Sequence, residues 1–315
     1  MGDVKRHPSD CPTTNPSAGA SENRLENRSI GDVTRSRPIT ATTLHEFTEI
    51  VRSRVGTPTI DHVSAYRGHR DVAWRLVPTI AREPFRAPRA FCNNQKDQSA
   101  ERILLLFFNS FSVSLMPPWV SAGTEKEASW LKLIVAQHHG LPTRLLDWTT
   151  NPLVALFFAL EGEARRCTVG RACTWCHGTG DHNAAVYVLK ERRCFTVSSL
   201  VSNRANRLAP LYGYDDEVGL LWPPHIDARV AAQSSIFAIR KDPSVEIEPD
   251  LIITVPHDAR DGILRDLDHF GITKRTLFPD LDGIAAYLRW SCTSWKHIQG
   301  IGHDLPRATR RRRLT

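Results

Sequence analysis

The sequence predicts an α+β fold, a single mixed domain carrying a polar, cysteine-bearing insertion. Three observations lead there. Stretches with the 3.6-residue period of helices and short apolar runs typical of strands both occur along the chain. They are interspersed without the strict strand–helix beat of a doubly wound sheet. No segment repeats another, which argues against a solenoid or propeller. The chain has 315 residues, enough to bury a sizeable core.

Residues 1–37 are rich in Ser, Thr, Asn, Pro and Gly and are expected to be a disordered arm. The domain is expected over 38–292, and 293–315 form a basic tail. TATTLHEFTEIVRSRV (40–55) has the pattern of an amphipathic helix, with Leu44, Phe47, Ile50 and Val51 on one face behind a Thr cap. HVSAYRGHR (62–70) reads as a strand entering a Gly turn, and residues 73–85 as a strand and turn. A loop follows over 85–98, then a long buried helix over 98–115. TEKEASWLKLIVAQHHG (124–140) is a helix, with Thr124 and Glu127 in capping-box spacing and Gly140 as its stop.

LPTRLLDWTT is a short turn or strand. Asn151 followed by Pro152 is a helix start, cap then first-turn Pro. LVALFFAL is apolar on every side, so that helix is expected inside the core. Residues 161–183 form the insertion. AAVYVLK (184–190) is a strand, and 191–224 are mostly irregular, with room for short helices. Residues 227–240 give a short helix or turn and then a strand at SIFAI. LIITVP (251–256) is a strand. Residues 259–272 form an amphipathic helix with Leu264, Leu267 and Phe270 inward, and a last helix begins within 277–292.

Net charge is +7, and the tail PRATRRRRLT holds five Arg and no acid. Such a tail is a solvated end or a loose phosphate contact with nucleic acid. Seven Cys without a secretory leader point to a reducing, cytoplasmic setting. Arg6 stands where a myristoylation signal needs Ser or Thr. The longest apolar run, residues 103–120, is broken by Asn, Ser and a Pro pair, so no membrane span is expected.

The chemistry gathers in QHHGLPTRLLDWTTNPLVALFFA (137–159). The helix starting at Asn151 points its free amides and positive dipole end back at Asp147, Thr149 and Thr150. Such an end favours a phosphate or another anion. The preceding helix delivers Gln137, His138 and His139 to the same place. Two readings stay open: a ligand site, or a capped helix start with His138 packed neutral. In YRGH (66–69), Arg67 is suited to clamping a phosphate or carboxylate, or to pairing with a core carboxylate.

Cys167, Cys173, Cys176 and His177, with His182 in reserve, have ligand types and a C-x2-C spacing suited to structural zinc. A surface insertion with free thiols is the alternative. Cys173 to His177 also fits C-x-x-C-H, but haem is discounted without an export signal. No phosphate-binding glycine loop, nucleophile elbow or H-E-x-x-H zinc motif is present.

Together, Tyr66-Arg67-Gly68, Trp74-Arg75-Leu76 with Pro78-Thr79, the 137–159 motif, DARVAAQSSIFAI and GITKRTLFPDLDGIAAYL resemble the FRG domain family, over about residues 44–290. A second resemblance is to ADP-ribosyltransferases of the Arg-Ser-Glu type, in which an Arg strand, a Ser/Thr strand with its helix, and a Glu strand follow in that order. That resemblance implies an ADP-ribosyltransferase-like fold and NAD as substrate, in a toxin or phage-defence setting. Tyr66, Arg67 and Gly68 would hold the NAD pyrophosphate or ribose, and Thr149 and Thr150 would shape the nicotinamide pocket. Gln233 falls where the catalytic Glu is expected. An amide can orient a ribose hydroxyl but cannot act as a carboxylate, so Asp147 or His138 would have to supply that role. The alternative is a non-catalytic module that senses a nucleotide or a nucleic-acid end.

Overall fold

The computed structural model describes residues 37–57, 59, 62–85, 100–162, 183–202 and 218–294. The expected N-terminal arm through residue 36, the Cys-bearing segment 163–182 and the tail from residue 295 lie outside them.

The elements run β1 (Ile39–Thr40), α1 (Leu44–Arg54), β2 (His62–His69), α2 (Ala100–Phe111), α3 (Glu125–His138) and β3 (Leu146–Thr149). Then come α4 (Pro152–Leu160), β4 (Ala184–Phe195), α5 (Val197–Ser202), β5 (Gly219–Leu221), α6 (Ala228–Ala232) and β6 (Ser235–Ile239). The chain continues through β7 (Leu251–Val255), α7 (Arg260–His269), α8 (Lys274–Leu277) and α9 (Leu281–Ser294). The result is α+β, as the interspersed periodicities imply.

Among the described residues the strands make one seven-stranded sheet in the order β1-β7-β4-β2-β3-β6-β5. Most neighbours are antiparallel, but β1 runs parallel to β7. β5 pairs twice, antiparallel with β6 and parallel with the far end of β4 through Cys194 and Phe195. The ladder β4-β2-β3-β6-β5 therefore returns to β4 and closes a five-strand ring.

Strand alternation sorts side chains between the two faces of that sheet. Ala184, Val186 and Val188 of β4 pack with α1, α4 and α7. Ala185, Tyr187 and Leu189 pack inside the ring with Ala65, Leu146 and Ile236. A third cluster seats α2, α3 and α5 against Leu145, Phe237 and Ile239.

The helix starts follow the cap chemistry of the sequence. Thr124 and Glu127 form the capping box of α3. Asn151 caps α4 through its side chain, with Pro152 in the first turn. α4 lies directly on β2, and Gly68 makes this approach possible. A Cβ there would collide with the Ala155 carbonyl oxygen and stand 2.5 Å from the Ala159 amide nitrogen.

Several expectations are corrected. Residues 73–85 form turns and a short 3-10 segment at Thr79–Ala81, not a strand. Pro78 has no N–H to donate to a ladder, and the Leu76 backbone is satisfied instead by the Glu246 carboxylate and the Ile247 amide. The helix expected to be buried over 98–115 is α2, which buries Glu101 and Leu105 but exposes Leu106, Phe107 and Phe111. Phe270, expected inward, is 69% exposed because it is the C-cap of α7. Leu267 is buried as expected, Leu264 is half-buried, and Ile263, four residues before Leu267 on the same face, takes the remaining core position. The segment read as mostly irregular over 191–224 continues β4 to Phe195 and adds the strand β5, while α5 is a short helix of the kind allowed there.

Candidate functional site

The alternation that turns Gly68 towards α4 places Arg67 and His69 on the opposite face of β2. There they border a cleft of about 1000 Å³, which Tyr66, Gly68, Asp147, Thr149 and Gln233 also line. The strands β2, β3 and β6 are neighbours in the sheet, although β2 ends at His69 and β6 begins at Ser235. This adjacency unites the YRG and LDWTT motifs, with Tyr66 registered opposite Thr149.

Arg67 donates from Nε to His69 Nε2 at 2.9 Å and from a terminal amine to the backbone oxygen of Asp147. Burial pulls its pKa down to about 10, against the opposing pull of the Asp147 carboxylate, so the guanidinium stays charged at neutral pH. Among the described residues no carboxylate oxygen lies within ion-pairing distance of it. His69 is 4% exposed and meets Trp74 and Tyr187 edge-on, at 5.9 and 5.1 Å. Burial first, then the charges of Arg67 and Arg82, drive its pKa down to about 3. The ring is therefore neutral and accepts the Arg67 proton.

Asp147 is exposed into the cleft. Its carboxylate oxygens accept from Gln137 Nε2 at 3.2 and 3.1 Å. The Gln137 amide is oriented in turn by Thr143, whose hydroxyl donates to Oε1 at 2.6 Å. Arg82 also lines the cleft, donating from Nε and a terminal amine to the Val77 carbonyl at 3.0 and 2.8 Å. Burial lowers its pKa while Asp147 raises it.

The walls are aromatic. Arg70 sits 5.6 Å above the Trp74 ring. Phe158 and Phe278 meet edge to face at 6.0 Å, and Lys274 lies 3.8 Å from the Phe278 ring centre while pairing with Glu161. Cations beside flat apolar walls suit a ligand that combines anionic groups with ring systems.

Other predicted residues have different surroundings. Thr149 donates to the Gln233 carbonyl at 2.7 Å and accepts from the Asn151 amide at 3.0 Å. Its hydroxyl thus ties the start of α4 to the end of α6. Together with the Asn151 cap on Leu153, this occupies amides that were expected to face an anion. Gln233 donates to the Leu277 carbonyl at 3.0 Å and links α6 to α8. His138 does not border the cleft, because its Nε2 pairs with Asp227 at 2.9 Å. Thr150 contributes its backbone amide to Ser234 and does not border the cleft either. Cys167, Cys173, Cys176 and His177 lie outside the described residues. Among the described residues no group of three or more His, Cys, Asp or Glu is placed to hold a metal ion. No described helix is long and apolar enough to cross a membrane.

Arg144, in the middle of the 137–159 motif, is structural. Its backbone amide donates to Glu101 Oε1 at 2.7 Å, and its guanidinium to Oε2 at 2.9 and 2.8 Å, both side chains being almost fully buried.

Sequence reasoning missed His69, Arg82, Phe158 and Phe278 as cleft residues. Phe158 looked like pure core, yet it lines the cleft together with Ala155, three residues before it on α4. Phe278 comes from a segment 120 residues further on, and the family resemblance of LFPD was the only signal for it.

The fold is an α+β domain in which the YRG and LDWTT motifs border one cleft. Residues 62–167 match the FRG domain model, so the chain carries an FRG domain, spanning β2 through α4 and hence both motifs. No curated protein and no solved structure matches the chain.

Proposed function

We propose that the cleft binds a nucleotide-type ligand, with NAD as the first candidate, and that the domain is ADP-ribosyltransferase-like. The observation that carries this is Arg67, a half-buried cation held by neutral acceptors and open to the cleft. A charge without a carboxylate partner is available to an anion, and a pyrophosphate supplies one. Arg70 and Arg82 extend the positive field, and Trp74, Phe158 and Phe278 offer faces for the rings. The adjacency of β2, β3 and β6 supports the ADP-ribosyltransferase analogy, in which the three motif-bearing segments meet.

In transfer, the bond from ribose C1′ to nicotinamide breaks and its electron pair leaves with the ring. A nucleophile then attacks C1′ and loses its proton. Asp147, a cleft carboxylate that Gln137 orients, would stabilise the developing positive charge. One observation favours a second reading, a sensor that binds without turnover: Gln233 is an amide already engaged with the Leu277 carbonyl.

Release of nicotinamide from NAD separates the two. Release by the wild type, lost in Asp147→Asn with NAD binding retained, supports transfer. Saturable NAD binding without release makes the domain a sensor.

A further inference from the structure

A second cavity of about 350 Å³ lies among α4, α7, α8 and α9, apart from the Arg67 cleft except for a shared wall at Glu161 and Gly162. Its floor is apolar. Leu160 is fully buried, Phe157 nearly so, and Leu264 and Ile272 are half-buried beside them. One side is aromatic, with Tyr287 and Trp290 of α9 at 6.2 Å between ring centres and tilted 35°. The rim carries Asp261, which is exposed, and Asp268, whose carboxylate hydrogen-bonds the Tyr287 hydroxyl.

The two cations in the lining are engaged within the protein. Arg260 donates to the Leu160 and Gly162 carbonyls at 2.7 and 2.9 Å, closing the C-terminal end of α4. Lys274 pairs with Glu161. The Arg260 charge is met by the negative C-terminal end of α4 and that of Lys274 by Glu161, so Asp261 and Asp268 set the sign at the rim, beside aromatic rings that attract cations. Tyr287 already shows that preference, with the Arg275 guanidinium 5.4 Å from its ring centre.

We propose that this cavity binds a small organic cation with an apolar body, of the arylalkylamine class. The body fills the space over Leu160, Phe157 and Leu264. The ammonium lies at the rim between Asp268, Asp261 and the Tyr287–Trp290 pair. The volume admits a bicyclic ring with a short amine arm and excludes a dinucleotide. The proposal concerns a different site from the nucleotide cleft and stands or falls separately from it.

Tryptamine and indole-3-propionate carry the same ring and differ in the sign of the arm's charge. Each is titrated into the full chain with ¹⁵N-labelled Trp, following the indole cross-peak of Trp290 as assigned with Trp290→Phe. The proposal expects saturable movement with tryptamine, at an affinity at least about tenfold above that of indole-3-propionate. Asp268→Asn reduces that ratio, and Leu264→Trp, which fills the cavity, removes tryptamine binding. Arg67→Ala leaves it unchanged. Absence of saturation with tryptamine, equal affinity for both probes, or an unchanged ratio in Asp268→Asn overturns the proposal.

Discussion

The Nε of Arg67 donates a 2.9 Å hydrogen bond to Nε2 of His69, so an uncharged ring orients a half-buried cation. A carboxylate in that place would neutralise the guanidinium. A neutral imidazole fixes its plane and leaves its charge for a ligand. Burial keeps His69 in that state, with its pKa down at about 3.

That arrangement has a pH signature. The unfolded chain takes up a proton on this histidine at about pH 6.5, whereas the folded protein resists it until about 3. Between those values the unfolded state binds the extra proton, so stability falls as pH drops through the window. The slope from this one group approaches ~1.4 kcal/mol per pH unit. Urea unfolding of wild type and His69→Gln between about pH 4 and 7 checks it. The glutamine keeps an acceptor for Arg67, and its stability should depend less steeply on pH. Identical slopes would remove His69 from the account.

Gly68 serves the scaffold rather than the ligand. Gly68→Ala drives a methyl group into the backbone of α4 at Ala155 and Ala159, where no side chain can yield. A loss of about 1–3 kcal/mol or more is expected in urea unfolding, the range of overpacked cores. A stability equal to wild type would mean that α4 shifts freely on β2.

The pair Glu101–Arg144 anchors α2 to the segment leading into β3. Removing one partner strands the other charge in the core. Glu101→Ala should therefore destabilise by about 3–5 kcal/mol, and Glu101→Met with Arg144→Met together by much less. Additive losses in the double variant would contradict this reading.

Much of the fold was legible because short-range chemistry decides it. The Thr124–Glu127 box, the Asn151–Pro152 start and the β-branched runs of β4 and β7 are local signals, and each element formed where they point. β1 is two residues long and exists only through its pairing with β7, so no periodicity announces it. Phe270 illustrates a related limit, since helical spacing alone does not say where the last turn leaves the core.

The site was legible in part. Tyr66, Arg67, Gly68, Asp147, Thr149 and Gln233 do border one cleft, since β2, β3 and β6 are sheet neighbours. His138 looked equivalent to Gln137, but one step along a helix turns a side chain by about 100°, and it faces Asp227 instead. Arg82 and Phe278 enter through turns whose paths depend on long-range contacts.

The most direct test of the central claim is calorimetric titration of NAD into the wild type and into Arg67→Ala. Saturable binding by the wild type is expected, with a loss of at least about tenfold in the variant, the weight of a charge-assisted contact to phosphate. Absence of binding by the wild type, or equal affinity in Arg67→Ala, would contradict it.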